Sequence, residues 1–514
     1  MLSNTTRIAK NTLMLYFRQF VIILINLYTV RVVLEILGIE DFGIFNVVGG
    51  VVVLFTFLNN AMTSATQRFL NFTLGQDDTE QARNVFSVSI IIHALIAVAV
   101  VILAQTVGLW FFFNVLTIPL ERQTAAFFVY QFSVASTVIN VMQVPYRATI
   151  IAYEKMSFFA WLSIVEAVLK LSIVFLLPVI LFDKLLVYAF LVCITGIIIY
   201  LIHKVYCNRT FETAHFRYCR NKELFWQLLG FSGWSAINGA ATIGRDQGSN
   251  ILLNIFHSIT MNAVMGIATQ VNSAVFRFVS NFQTAFSPQM IKSYSVGDYD
   301  YFMTLIFRTV KISWSLLFFL VLPLSINADF VLQIWLNNVP EYTGIFVKLI
   351  LLCSLVDGAI AGPLTVAIRA TGDIKKYQLI ISCFIFANLP LSLFSLWLGF
   401  SPVWILIIRA TLSVLMLVWR ISFLGIKIKL PVKDFYCNVI IPMSVITGLS
   451  FFITFSIYNF LTNDWIRLIV SCFASTISIG CLAYFIGLNK QEKILLKNWI
   501  KKSNLRLFGY NKAA

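Results

Sequence analysis

Apolar runs of roughly twenty residues or more follow one another along nearly the whole chain, separated by short polar turns. Hydrocarbon about 30 Å thick is crossed by roughly 20 apolar helical residues, so the pattern predicts about fourteen spanning helices. They are placed over 12–37, 42–65, 86–110, 124–147, 158–182, 185–206, 224–256, 260–288, 304–328, 344–368, 377–399, 402–424, 437–460 and 465–488. The stretch 11–85 sets the plan: an apolar helix, a tight turn at Gly38-Ile39-Glu40-Asp41, a second apolar helix to residue 65, then a polar loop over 67–84. The same layout can be laid over 230–303, with 31–50 falling on 250–269 and, after a two-residue insertion, 64–77 on 285–298. The match is one of hydropathy. Two bundles of like build, with the site between the halves, are how many secondary transporters are made. The expected fold is an all-α polytopic membrane protein: an N-lobe of six helices (1–206), a cytoplasmic loop (207–223), a C-lobe of six (224–424), two extra helices (425–488) and a basic tail (489–514).

Composition makes the membrane reading firm, because 59% hydrophobic and 12% charged residues lie outside the range of soluble domains. The net charge of +16 would point to nucleic acid in a soluble protein, but its placement points to topology. With the N-terminus in the cytoplasm, about 25 Lys and Arg fall inside, among them Lys204, Arg209, Arg217, Arg220 and Lys222. About four fall outside: Arg122, Lys184, Lys348 and Arg467. Both termini are therefore expected inside, with no nucleic-acid partner. Met1–Lys10 is short and polar and the run after it is too long for a signal-peptide core, so it is read as a true first span. Lys493, Lys497 and Lys501 share one stripe of the tail, which is expected on the anionic inner leaflet. The eight cysteines include no CxxC, and free thiols are expected. His203, Cys207, His215 and Cys219 form H-x3-C-x7-H-x3-C, which is not a standard zinc spacing; a plain loop and no metal site are expected.

Candidate chemistry lies in the charges inside the spans. A central Arg or Lys costs roughly 2.5–3.5 kcal/mol on insertion scales, a cost that the folded state has to meet. The basic residues are Arg18, Arg31, Lys170, Arg245, Arg277, Lys311 and Arg409; the acids are Glu35, Glu166, Asp246 and Asp357. Glu35 can pair with Arg31 and Glu166 with Lys170 one turn along a helix, and Asp246 with Arg245, which leaves Arg18, Arg277, Lys311 and Arg409 against Asp357. A net cationic interior calls for an anion, and guanidinium suits phosphate through paired hydrogen bonds. An anionic lipid or pyrophosphate headgroup meets that need; the alternative is that these side chains snorkel or bond backbone carbonyls. Arg147, after Pro145-Tyr146, is expected to snorkel to headgroups, and His93 to be a packing residue. The glycines 233, 239, 244 and 248 predict a bending or unwound seventh helix lining a cavity, and Gly362-Pro363 a kink in the tenth. Asp357 and Asp246 are the candidates for proton or sodium coupling.

The turn Arg31-x2-Leu34-x3-Gly38-x3-Phe42-Gly43-x-Phe45, the pieces Gln67-Arg68-Phe69 and Leu74-Gly75, and Ser287-Pro288-Gln289 resemble the polysaccharide-export branch of the multidrug/oligosaccharidyl-lipid/polysaccharide (MOP) superfamily, the Wzx-like O-antigen and capsule flippases. The resemblance implies two six-helix, MATE-like lobes around a cationic cavity, with arginines of helices one and eight matched by Arg18 and Arg277. It implies a polyprenyl-diphosphate-linked oligosaccharide as substrate, moved to the outer leaflet of the bacterial inner membrane by alternating access. Membrane lipids and a downstream glycan polymerase are the further partners expected, and no cofactor is. The alternative is a multidrug or cation antiporter of the same superfamily. An enzyme is not expected: a polymerase or ligase needs a sizeable outer loop, and the outer loops are short. No G-x-x-x-x-G-K-[ST] loop is present for ATP hydrolysis, so an ion gradient or substrate mass action has to give direction.

Overall fold

The computed structural model describes residues 2–53, 57–114, 119–219, 221–257, 259–336, 339–487 and 492–493, and their regular structure is entirely helical. The first helix, α1 (Leu2–Val53), is broken at Gly38, where φ 78° and ψ 170° leave the helical region at a residue with no Cβ to clash. The predicted four-residue turn is thus compressed to one glycine, and the second half of α1 leads on to α2 (Phe57–Gly75). Then come α3 (Thr79–Asn114), α4 (Leu120–Ala152), α5 (Met156–Val179), α6 (Lys184–Thr210), α7 (Lys222–Phe256) and α8 (Ile259–Val296). After them come α9 (Tyr299–Ile326), the short α10 (Ala328–Trp335), α11 (Thr343–Thr371), α12 (Lys375–Trp397), α13 (Trp404–Ile428), α14 (Val432–Phe460) and α15 (Asp464–Gly487). Among the described residues ten of these helices are long and apolar enough to cross a membrane, and the predicted spans from 86–110 onward each overlap a described helix, whereas 42–65 runs from α1 into α2 across residues outside the described set.

Three expectations are corrected. The polar loop over 67–84 is mostly helix: α2 runs to Gly75 and α3 starts at Thr79, with Asp78 capping the new helix by accepting from the Gln81 amide at 2.9 Å. The eighth span does not stop at Ser287-Pro288 but continues to Val296 and turns at Gly297 (φ 82°). The seventh does not unwind. It stays helical over Lys222–Phe256; Gly244 packs against Phe386 and Gly248 against Leu389, while Gly233 and Gly239 have open space beside them. Two turns repeat the same geometry in a register shifted from the hydropathy match: Asp78 N–H donates to Thr73 O and Asp298 N–H to Ser293 O, both at 3.1 Å, and each aspartate then caps the next helix. Asp78 therefore corresponds to Asp298, one residue away from the hydropathy match.

The chain forms two compact units, a partition that cuts across the sequence halves. The first comprises Met1–Asp246, Asn281–Phe302 and Val366–Phe386; the second comprises Gln247–Ser280, Met303–Thr365 and Ala387–Ala514. In the first, α3, α4 and α6 bury Phe112, Val129, Tyr130, Leu185 and Ala189 together. At a π-helical turn over Ala104–Gly108 the Ala104 carbonyl accepts from the Leu109 N–H and also from the Tyr130 hydroxyl at 2.6 Å, the latter in space that a side chain at Gly108 would fill. At the end nearest Gly38, Arg122 joins Asp41 to Asp183, the latter also capping α6 through the amides of Leu185 and Leu186. In the second unit α14 and α15 form a hairpin whose most apolar windows are only 22% buried, as expected of helices that face lipid.

Candidate functional site

In the first unit α1 shows one face to lipid and another to protein. Leu13, Phe17, Phe20 and Leu24 recur at helical spacing and are exposed, whereas Leu15 and Gln19 are buried and Arg18 is half-buried beside them. The Arg18 guanidinium donates from Nη2 to Asn281 Oδ1 at 2.9 Å and lies 5.0 Å from the centre of the Phe159 ring. Arg147 lies 5.6 Å from the centre of the same ring. Two cations thus share one aromatic ring, the arrangement that the ring's negative face favours. Arg147 is exposed although it lies beside the buried Phe159 ring. Its helix carries Asn140, Gln143 and Arg147 on one stripe, of which Gln143 is buried against His203 at 2.8 Å while Asn140 and Arg147 are exposed. The nearest acid to act on Arg147 is Glu166, and it is already held by Lys170 at 2.7 Å, the pair that the i, i+4 spacing predicted. Among the described residues neither Arg18 nor Arg147 has a carboxylate within ion-pair distance.

The turn between α4 and α5 brings Phe159 there, and it is pinned from below. Glu154, at φ 58°, turns a carboxylate that is 2% exposed onto α8, where Gln289 Nε2 donates at 2.8 Å to both oxygens and Lys292 Nζ at 3.2 Å to one. Asn281, Ala285, Gln289 and Lys292 occupy one face of α8, so a single stripe meets both Arg18 and Glu154. Two more contacts close the same end of this unit. Gly75 lies against the Lys292 backbone with no room for a side chain, and Arg68 donates from Nε to Arg369 O and from Nη2 to Ala370 O, each at 3.2 Å. Arg369 in turn donates to Ser64 Oγ at 3.3 Å.

The other sequence candidates separate from this group. Arg245, 7% exposed, is satisfied by its neighbour, with Nε and Nη2 on Asp246 Oδ1 at 3.0 and 2.8 Å. In the second unit Arg277 is exposed, Arg409 is half-buried, and Asp357 accepts from Ser413 Oγ at 2.6 Å within a π-helical turn, Leu355–Ile360, beside the predicted kink. Lys311 pairs with Glu492 at 3.2 Å, with Arg308 near the same carboxylate at 3.9 Å. Arg31 lies in α1, but its side chain, and with it the predicted pair with Glu35, lies outside the described residues; so do Arg220 and the tail beyond Lys493. His93 is buried and bonded to Ser89 O at 2.6 Å. His203 and Cys207 are buried, whereas His215 is exposed, so the four residues of the H-x3-C-x7-H-x3-C pattern do not share one environment.

No protein-family model and no curated protein matches the chain. Solved structures do. A MATE transporter in complex with MaD3S is similar over 83% of this chain and 97% of its own, at 13% identity and a TM-score of 0.65. A multidrug resistance MATE family transporter of the MOP superfamily in an outward-facing conformation is similar over 82% and 96%, at 13% identity and 0.68. A MOP superfamily transporter from Pyrococcus furiosus, whose binding pocket of reversed polarity is described as suggesting a different function, is similar over 82% and 96%, at 14% identity and 0.68. The chain has the fold of these transporters. The likeness accounts for nearly the whole of their length.

Proposed function

We propose that this protein is a membrane transporter that carries a polyprenyl-diphosphate-linked oligosaccharide from the cytoplasmic to the outer leaflet by alternating access. The observation that carries the reading is the pair Arg18 and Arg147 on Phe159, two cations on one ring with an amide on Arg18 and, among the described residues, no acid within ion-pair distance. Like charges held on one ring repel, and a doubly charged diphosphate relieves that repulsion. Guanidinium groups present N–H pairs that fit phosphate oxygens, and Asn281 can reorient to hold the ester side. Asp357 is the preferred coupling residue over Asp246, because Asp246 is already committed to Arg245 and Asp357 is held only by a hydroxyl.

The reading is tested by complementing a flippase-deficient strain and measuring surface glycan. Wild-type chain restores it, and Arg147→Ala lowers the restored amount about 10- to 100-fold, the loss of one or two charge-assisted hydrogen bonds. The second reading, a multidrug or cation antiporter, is favoured by the multidrug transporters that share the fold. It requires the same variant to leave drug resistance intact or improved, since removing a cation eases entry of another cation. Drug resistance conferred without any restored glycan would replace the first reading by the second.

A further inference from the structure

The first unit contains a second site that the cation pair does not explain. A cavity of about 400 Å³ opens at the closed end described above, lined by Arg68 and Phe69 of α2, by Trp226, Phe231 and Trp234 of α7, and by the segment from Gly372 to Lys375 that joins α11 to α12. The size is that of a small-ligand pocket, roughly 300–1,000 Å³. Its walls are aromatic and its rim is polar. Trp226 is 65% exposed, Lys375 Nζ stands 5.1 Å from the centre of the Trp234 ring, and Asp373 lines the same cavity.

Arg68 is the unusual member. It is 7% exposed, its guanidinium rests on Phe69 and Phe72 at 4.6 and 4.7 Å, and only Nε and one Nη2 donor are used, on two carbonyls at the end of α11. Nη1 has no hydrogen-bond partner among the described residues, so a buried group with donors to spare faces the cavity. Arg68 and Lys375 supply donors and Asp373 a carboxylate, so the lining carries two positive charges and one negative. An anionic headgroup meets a carboxylate there. A sugar ring does not: its hydroxyls both donate and accept, and its C–H face packs on aromatic rings.

We infer that this pocket binds a neutral hexose or N-acetylhexosamine, stacked on Trp226 with its hydroxyls on Arg68, Asp373 and Lys375. The inference rests on the transport reading for its purpose, since charge asymmetry places this end of the unit in the cytoplasm, where the glycan of a lipid-linked substrate would be met first. The two sites then divide the substrate, diphosphate to the arginine pair and sugar to the aromatic pocket.

The test uses the full chain in lipid nanodiscs and saturation-transfer difference NMR with D-galactose, D-glucose and N-acetyl-D-glucosamine as probes. At least one sugar is expected to receive saturation on its C–H protons. Trp226→Ala, at an exposed position that does not threaten folding, weakens this about tenfold, whereas Trp226→Phe retains most of it. Lys375→Gln and Asp373→Asn lower it further without changing the thermal transition. Absence of transfer from every probe, or equal transfer in Trp226→Ala, overturns the inference. So does Trp226-dependent transfer to the phosphatidylglycerol headgroup alone, which would make the pocket a lipid site. Surface glycan restored without sugar binding sinks the pocket and leaves the transport reading standing; sugar binding without restored glycan does the reverse.

Discussion

Two pairs of cations sit in apolar helices of this protein, and they have opposite fates. Arg308 and Lys311 of α9 share Glu492, at 3.9 and 3.2 Å, and the three side chains line one polar cavity of about 330 Å³. Arg18 and Arg147 share Phe159, with Asn281 on Arg18 alone and, among the described residues, no acid within ion-pair distance. The first pair shares a carboxylate of its own chain, and the second has none among the described residues. A buried charge thus marks a binding site only when the fold withholds its counter-ion.

The comparison is broken most directly by giving the second pair what the first has. Arg147→Glu places a carboxylate beside Arg18, and glycan export is expected to fall about 100-fold or more, with the thermal transition unchanged or raised. Export that survives this reversal would remove the arginine pair from the substrate path. Next in size is Glu154→Ala, which strips the carboxylate from Gln289 and Lys292 at the base of the same unit. A destabilisation of about 3 kcal/mol is expected, since an ammonium loses a buried partner, and thermal-shift measurements in detergent read it. A smaller effect, about 1–2 kcal/mol, follows Glu492→Gln, which makes the α9 pair resemble the Arg18–Arg147 pair. Export stays near wild type there; a large loss would show Lys311 to be functional and merge the two cases. The smallest change is Arg122→Lys, which keeps the charge between Asp41 and Asp183 but loses the forked geometry, for about 1 kcal/mol and no effect on export.

Much of the architecture was legible because a membrane protein writes it in long, local patterns. Span length, the break at Gly38 and the repeat of helix, turn and helix all follow from runs of apolar residues and one glycine. Element ends were read less well. The polar stretch after residue 65 looked like a loop because its polar residues are satisfied by partners far along the chain, Arg68 by Arg369 and Ala370, and Gln76 by Ser295. Of the site, Arg18 was found from its depth in an apolar helix. Arg147 was read only as a headgroup residue, because its place near a helix end does not reveal that the Phe159 ring lies beside it.

The sequence by itself determined that this chain spans a membrane many times, that its halves repeat and that its interior holds more basic than acidic residues, because each is a sum over local positions. Which of those basic residues remain without an acid was decided only by tertiary structure. Glu492 reaches Lys311 across 181 positions and Asn281 reaches Arg18 across 263, and pairing over such distances depends on how helices pack, which no local pattern encodes.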